Sequence, residues 1–296
     1  MRAEVTPHTL AEIADNYETA INWVQLIGFP IDRGRHNTYR KTIAKLHREF
    51  SSHGWGDFDD DAYRDCVCTA LLESRELVSI FRGLSGLADA RALPNLRSYL
   101  KGPVLLVHEQ AHNSSNRARN FGFELYLNAL FASAGFQPKY GSNADLSFST
   151  ERLRVFVEAK RPMTQESAQT SVRIAMRQLA TRFSEDEELE QAGIVALDLS
   201  KVINPNNLVM PVRNEEHLHS LMHAEDKLQM DRLYPTVTQS IQPGIVGVLL
   251  HYRMLTRFEP DDALNTLKWI GWVPFLEHPE LEAIHAKLRG VVRSIC

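Results

Sequence analysis

The chain reads as an α/β protein: a mixed central sheet flanked by helices, preceded by an all-helical region of about a hundred residues. Three observations predict this. Up to about residue 100, apolar residues recur only at helical spacing. After Gly102-Pro103, short β-type runs alternate with helical stretches. No apolar run approaches the roughly 20 residues that a helix needs to cross a bilayer, which argues for an ordinary globular chain and against a membrane-spanning one. On this reading residues 1–100 form a helical N-terminal region and residues 101–296 the α/β domain.

In order along the chain, Leu10, Ile13, Ala14, Tyr17, Ile21 and Val24 mark a first helix, and the stretch from Tyr39 to Phe50 repeats the pattern. SHGWGDFDDD (52–61) is a loop in which Asp60 or Asp61 caps a third helix through Tyr63, Val67, Leu71 and Leu72, broken after Phe81 by RGLSG. Cys66 and Cys68 lie two residues apart on that helix, a spacing that points them in different directions and suits packing. RARNFGFELYLNALFASAG is a strongly apolar helix that stops at Gly135. Strands are expected at FQPKY, ADLSFS and RLRVFVEAK, then a helix over 165–183. A β-run (193–199), a helix (214–232), a β-run (244–254) and an aromatic run (267–275) complete the alternation.

Composition excludes several classes. Lys and Arg number 33 against 37 Asp and Glu, a net charge of −4, which argues against an indiscriminate polyanion binder. The three cysteines make no disulfide framework and the N-terminus has no basic-then-apolar export pattern, so a cytoplasmic protein with no membrane partner is expected. The charge is unevenly distributed. Between Arg117 and Arg182 there are ten Lys and Arg against five Asp and Glu, a balance of +5, which leaves −9 on the rest of the chain.

Two motifs compete for the chemistry. His108-Glu109-Gln110-Ala111-His112 matches the H-E-x-x-H pattern in which two imidazoles on one helix face hold Zn²⁺ and the Glu activates its water. Its surroundings lack a third ligand: Glu124 is twelve residues beyond His112, about 18 Å along a continuous helix. The second motif is Glu158-Ala159-Lys160, closing the apolar strand Leu153–Val157. Strand alternation puts Val155, Val157 and Ala159 on one face and Phe156, Glu158 and Lys160 on the other. Asp145 begins the neighbouring strand, so a tight turn can bring it to Glu158. Glu124 sits among Phe121, Leu125, Leu127 and Leu130, where a buried carboxylate is costly unless something positive meets it.

This succession of helix Glu, strand Asp, strand Glu-x-Lys and basic helix resembles the PD-(D/E)XK phosphodiesterase superfamily, over roughly residues 117–183. Asn120-Phe121-Gly122-Phe123-Glu124-Leu125-Tyr126-Leu127 and VEAKRP (157–162) also look like nuclease-like members of that superfamily. One departure is Ala144, where the first motif has proline. The resemblance implies a restriction-endonuclease-like core and a metal-dependent nuclease acting on DNA, in a setting such as defence against foreign DNA. It casts Asp145, Glu158 and Glu124 as metal ligands and Lys160 as the motif's lysine. Hard carboxylate oxygens suit Mg²⁺ or Mn²⁺.

Arg117, Arg119, Arg161, Arg173, Arg177 and Gln178 are the candidate contacts to nucleic-acid phosphates, which bind backbone without reading sequence. A homodimer is expected from the resemblance alone, and the helical N-terminal region is a candidate surface for a protein partner. The competing readings are a zinc metalloprotease built on His108 and His112, and a non-cleaving nucleic-acid-binding module of the same fold.

Overall fold

The structure is a computed structural model that describes residues 9–53, 60–86, 92–109, 116–140, 144–183, 189–259, 263–275 and 279–295. It is an α/β architecture with nine helices and a mixed six-stranded sheet among the described residues, and the first five helices precede the sheet. None of the helices among the described residues is long and apolar enough to cross a membrane.

α1 (Leu10–Leu26) starts at a capping box in which Thr9 and Glu12 satisfy each other's backbone N–H groups. It buries Leu10, Ile13, Tyr17, Ile21 and Val24, the face its periodicity predicts. α2 (Arg35–His53) follows, and then α3 (Asp61–Leu84), capped by the Asp60 carboxylate on the Ala62 and Tyr63 N–H groups. α3 is buried on every side from Val67 to Ile80, which forces Glu73, Arg75 and Glu76 into the interior. Cys68 is buried among the α3 packing, and Cys66 lies 3.4 Å from the Thr42 hydroxyl.

α4 (Ala92–Tyr99) and α5 (Arg117–Ser133) complete the helical layer. α5 ends as expected at Gly135, whose φ of +84° is the left-handed conformation that glycine adopts freely. Gly122 permits the close approach of α5 to α3 and α4: a Cβ there would stand 2.5 Å from Glu76 Oε1 and 2.7 Å from the Tyr99 ring.

The sheet runs β1 (Leu146–Ser149), β2 (Leu153–Lys160), β3 (Glu190–Asp198) and β5 (Ile245–Phe258), with the short β4 (Met210–Val212) on the far end of β5. β6 (Ala263–Pro274) pairs along nearly all of β5. β1–β2 and β5–β6 are antiparallel; β2–β3, β3–β5 and β4–β5 are parallel. α6 (Gln165–Ala180) makes the crossover from β2 to β3. The expected strand at FQPKY reduces to a single bridge between Lys139 and Ser147, since Pro138 has no N–H for a ladder. Three further elements lie outside the expected alternation: α7 (Ser200–Ile203) and β4, too short to show a period, and α9 (Pro279–Ile295), which buries Leu281, Ile284, Leu288 and Val291 at helical spacing. α8 (Glu215–Ser240) continues past Pro235, eight residues beyond its expected end.

Alternation on β2 divides the molecule into its layers. Val155, Val157 and Ala159 join one apolar core that extends from Leu10 in α1 to Val291 in α9. Phe156 faces the other, formed with α6 and α8. The N-terminal helices therefore pack directly on the sheet.

Candidate active site and the buried ion network

The β1–β2 register pairs Leu146 with Val157, so Asp145, one residue earlier, comes opposite Glu158. The Asp145 carboxylate is fixed there by the Ala159 N–H, which donates to Oδ2 at 2.8 Å. Lys160 lies between the two acids: its Nζ is 3.0 Å from Glu158 Oε2 and 3.5 Å from Asp145 Oδ2. Those oxygens are thus no farther apart than the sum of the two distances, close enough for both carboxylates to face one cation. Arg182, in the turn after α6, approaches Glu158 Oε1 at 3.8 Å. Glu124 faces the group from α5 and accepts a hydrogen bond from Asn95 Nδ2 of α4 at 3.2 Å.

The electrostatics of this group are those of like charges held together. Burial, with repulsion from Asp145 and Glu158 against the attraction of Lys160, pushes the Glu124 carboxyl up to about 8. Glu158 is also raised, by burial and by Asp145, with Lys160 and Arg182 opposing. Among the described residues, no three His, Cys, Asp or Glu side chains are drawn together in metal-binding geometry. The ammonium of Lys160 stands between two of the acids.

The candidate phosphate contacts divide. Arg173 and Arg177 are exposed on α6, Gln178 beside them is half-buried, and Arg117 is exposed with its guanidinium 5.5 Å from the Phe121 ring centre. Arg119 and Arg161 are not available to phosphate. Arg119 is buried on Glu73, at 3.0 Å. Arg161 is buried with a two-pronged grip on Glu109, at 2.8 and 3.0 Å, and a bond to Asp198 at 3.1 Å. Charged side chains enter an interior only with partners, and both arginines have theirs.

The same contacts remove the basis of the zinc reading. His108 closes a single 3-10 turn, Leu106–His108, and Glu109 is extended at φ −71°, ψ 137°, so His108 and Glu109 do not share a helix. Glu109 is buried against Arg161, where it cannot activate a water. His112 lies outside the described residues.

What sequence reasoning missed is the network to which these arginines belong. Glu73 receives Arg35 at 2.9 Å, Arg119 at 3.0 Å and Arg253 at 3.1 Å. Arg253 also pairs with Glu76, and its backbone N–H donates to Ser200. Asp198 accepts from Arg161 and from the Ser200 N–H, and lies 3.5 Å from His251. The available signal was Glu73, Arg75 and Glu76 interrupting an otherwise apolar helix.

No family model, no curated protein and no solved structure matches the chain.

Proposed function

We propose that the chain is a metal-dependent nuclease that hydrolyses phosphodiester bonds, with DNA as its substrate class. The observation that carries this reading is the convergence of Asp145, Glu158 and Lys160, with Glu124 facing them, ahead of an α6 that presents Arg173 and Arg177 to solvent. That order of elements is the one that the resemblance to a restriction-endonuclease-like core implies.

The donor set fits a hard divalent cation. Three carboxyl groups face one lysine and a more distant arginine, and two of the three resist ionisation as they stand, a penalty that a divalent cation between them would relieve. Asp145 and Glu158 would hold Mg²⁺ or Mn²⁺, with Glu124 completing the set. Bound there, the ion supplies charge neutralisation on the scissile phosphate and acidifies the attacking water. The chain's own groups do the rest. The Ala159 N–H keeps Asp145 oriented. Lys160 stabilises negative charge gathering on the phosphorus oxygens, a role that suits an ammonium flanked by acids better than that of a base. Arg173, Arg177 and Arg117 attract the polyanion by its backbone.

Purified protein incubated with plasmid and single-stranded DNA, in Mg²⁺, Mn²⁺ or EDTA, tests the reading. Cutting is expected with metal and not with EDTA, and Lys160→Ala should lose about a hundredfold or more, with its melting temperature close to the parent's. Equal cutting by Lys160→Ala overturns the site. DNA binding without cutting under every metal condition favours the non-cleaving module.

A further inference from the structure

The candidate active site is not built by the sheet and its flanking helices alone. The hydrogen bond that Glu124 of α5 accepts, at 3.2 Å, comes from the side-chain amide of Asn95 in α4, inside the helical N-terminal region.

α4 is short, but its position is firmly set. Leu96 and Tyr99 are buried. Asn95 lies four residues before Tyr99 and so shares its helical face. Tyr99 is held in turn by Arg35, whose guanidinium stands 4.7 Å from the ring centre and donates to the Tyr99 carbonyl. On the α5 side Gly122 sets the spacing, since the Tyr99 ring comes within 2.7 Å of where a Cβ would stand. Glu124 follows Gly122 by two residues. A close packing contact therefore fixes the gap between the two helices that the Asn95–Glu124 hydrogen bond spans.

The chemistry of the donor suits the holding of a metal ligand. In the buried network Glu73 and Asp198 are met by guanidiniums, which cancel their charge. Asn95 is neutral: it engages one oxygen, Oε2, and brings no charge that would compete with a cation. The other oxygen, Oε1, is left for an ion shared with Asp145 and Glu158. Ligating carboxylates are commonly held by a hydrogen bond from behind, and loss of such a group costs about 10–100-fold in metal affinity or activity.

We propose that Asn95 is a positioning residue for the metal site: it holds Glu124 in the orientation that binds a divalent cation together with Asp145 and Glu158, which makes the helical N-terminal region a working part of that site. The proposal rests on the reading of those three carboxylates as metal ligands. Asn95 acts through Glu124 and not on the phosphate. Its loss therefore changes how readily the ion is bound, and not the rate once the ion is in place.

The test is calorimetric titration of the full chain with Mn²⁺ in the absence of DNA, beside plasmid cutting over a range of Mn²⁺ concentrations. Asn95→Ala should weaken Mn²⁺ binding by about tenfold or more. The Mn²⁺ concentration for half-maximal cutting should rise by the same factor, with the rate at saturating Mn²⁺ within about threefold of the parent's. Its melting temperature in EDTA should lie within about 4 °C of the parent's, the shift that one part-buried hydrogen bond makes. Asn95→Gln keeps an amide donor and should regain part of the affinity. Arg97→Ala, at an exposed position of the same helix, should leave it within about twofold. Equal Mn²⁺ affinity in Asn95→Ala and Arg97→Ala overturns the proposal and leaves the nuclease reading intact. A fall of about 10 °C or more in EDTA for Asn95→Ala also overturns it, because Asn95 would then be a structural residue. No Mn²⁺ binding to the parent overturns both. Mn²⁺ binding that Asn95→Ala weakens, with no DNA cut by the parent, supports the positioning role and sinks the nuclease reading.

Discussion

Two groups of carboxylates in this molecule are driven in opposite directions by their surroundings. Beneath the sheet, burial alone would raise Glu73, yet Arg119, Arg35 and Arg253 hold it well below the usual carboxylate range. His251, Arg161 and Arg253 do the same for Asp198 against its burial. At the end of β2, Glu158 is raised and Glu124 reaches about 8, because one lysine and a distant arginine serve three acids. Glu76 qualifies the contrast, since burial and the neighbouring Glu73 and Asp198 raise it although it pairs with Arg253. Burial is common to both groups, and the supply of cations separates them. A network that neutralises itself joins the helical layer to the sheet. A set that does not stays partly protonated until a cation from outside the chain favours its ionised form.

The strongest way to break this comparison is to remove the acid at the centre of the network. Glu73→Ala would leave Arg35, Arg119 and Arg253 short of a partner in the interior and should cost about 3–5 kcal/mol, read as a shift in the urea unfolding midpoint. A loss under about 1 kcal/mol would mean that the network adds little beyond packing.

The two groups were not equally legible in the sequence. Asp145, Glu158 and Lys160 could be found because strand alternation is local: a two-residue spacing fixes a shared face, and the short β1–β2 turn fixes the register. Arg119 and Arg161 were misjudged because an arginine near a motif reads the same whether it faces solvent or a buried acid. Their partners are far away in sequence, Glu73 for one and Glu109 and Asp198 for the other. The helical first hundred residues were legible as helices, but their docking on the sheet was not. The periodicity of α1 reports a buried face without saying what covers it. α3 betrayed its central position only through charges in an apolar run, which are intelligible once Arg253 of β5 and Arg35 of α2 reach them.

Acid sharpens the comparison with a smaller, graded effect. Glu73 and Asp198 have folded pKa values below their unfolded ones, so their contribution is present above the ordinary carboxylate range and is lost as pH falls through it. His36 is held neutral by burial and by Arg35 and Arg119, and His251 by burial and by Arg253 and Lys268 against Asp198. On acidification the unfolded chain takes up their protons first, from about pH 6.5 downward. These two terms share a sign, but the raised carboxyls of Glu124, Glu158, Glu76 and Asp226 oppose the histidines between pH 7 and about 4.5. The steep fall in melting temperature is therefore expected below about 4.5, where Glu73 and Asp198 are protonated in the unfolded chain. A melting temperature that held steady or rose as pH fell below about 4.5 would contradict the buried network as described.

The smallest effect discriminates best between the two groups, because it reverses sign between them. Glu124 has a raised folded pKa, so it favours the fold while protonated and ceases to as pH rises through about 8. In EDTA at pH 9, Glu124→Gln should therefore be more stable than the parent, by about 1 kcal/mol. The neutral amide keeps the shape and can still accept from Asn95, while the charge that Asp145 and Glu158 repel is gone. Glu73→Gln makes the same chemical change in the network and should destabilise at every pH above the carboxylate range, because it removes the charge that three guanidiniums share. If the two amides shifted the unfolding midpoint in the same direction, the supply of cations would not be what separates these sites. If they diverge and Glu124→Gln also loses metal-dependent cutting, the residue is held at a cost to stability for the sake of the site, as expected where function needs charge that the fold does not balance.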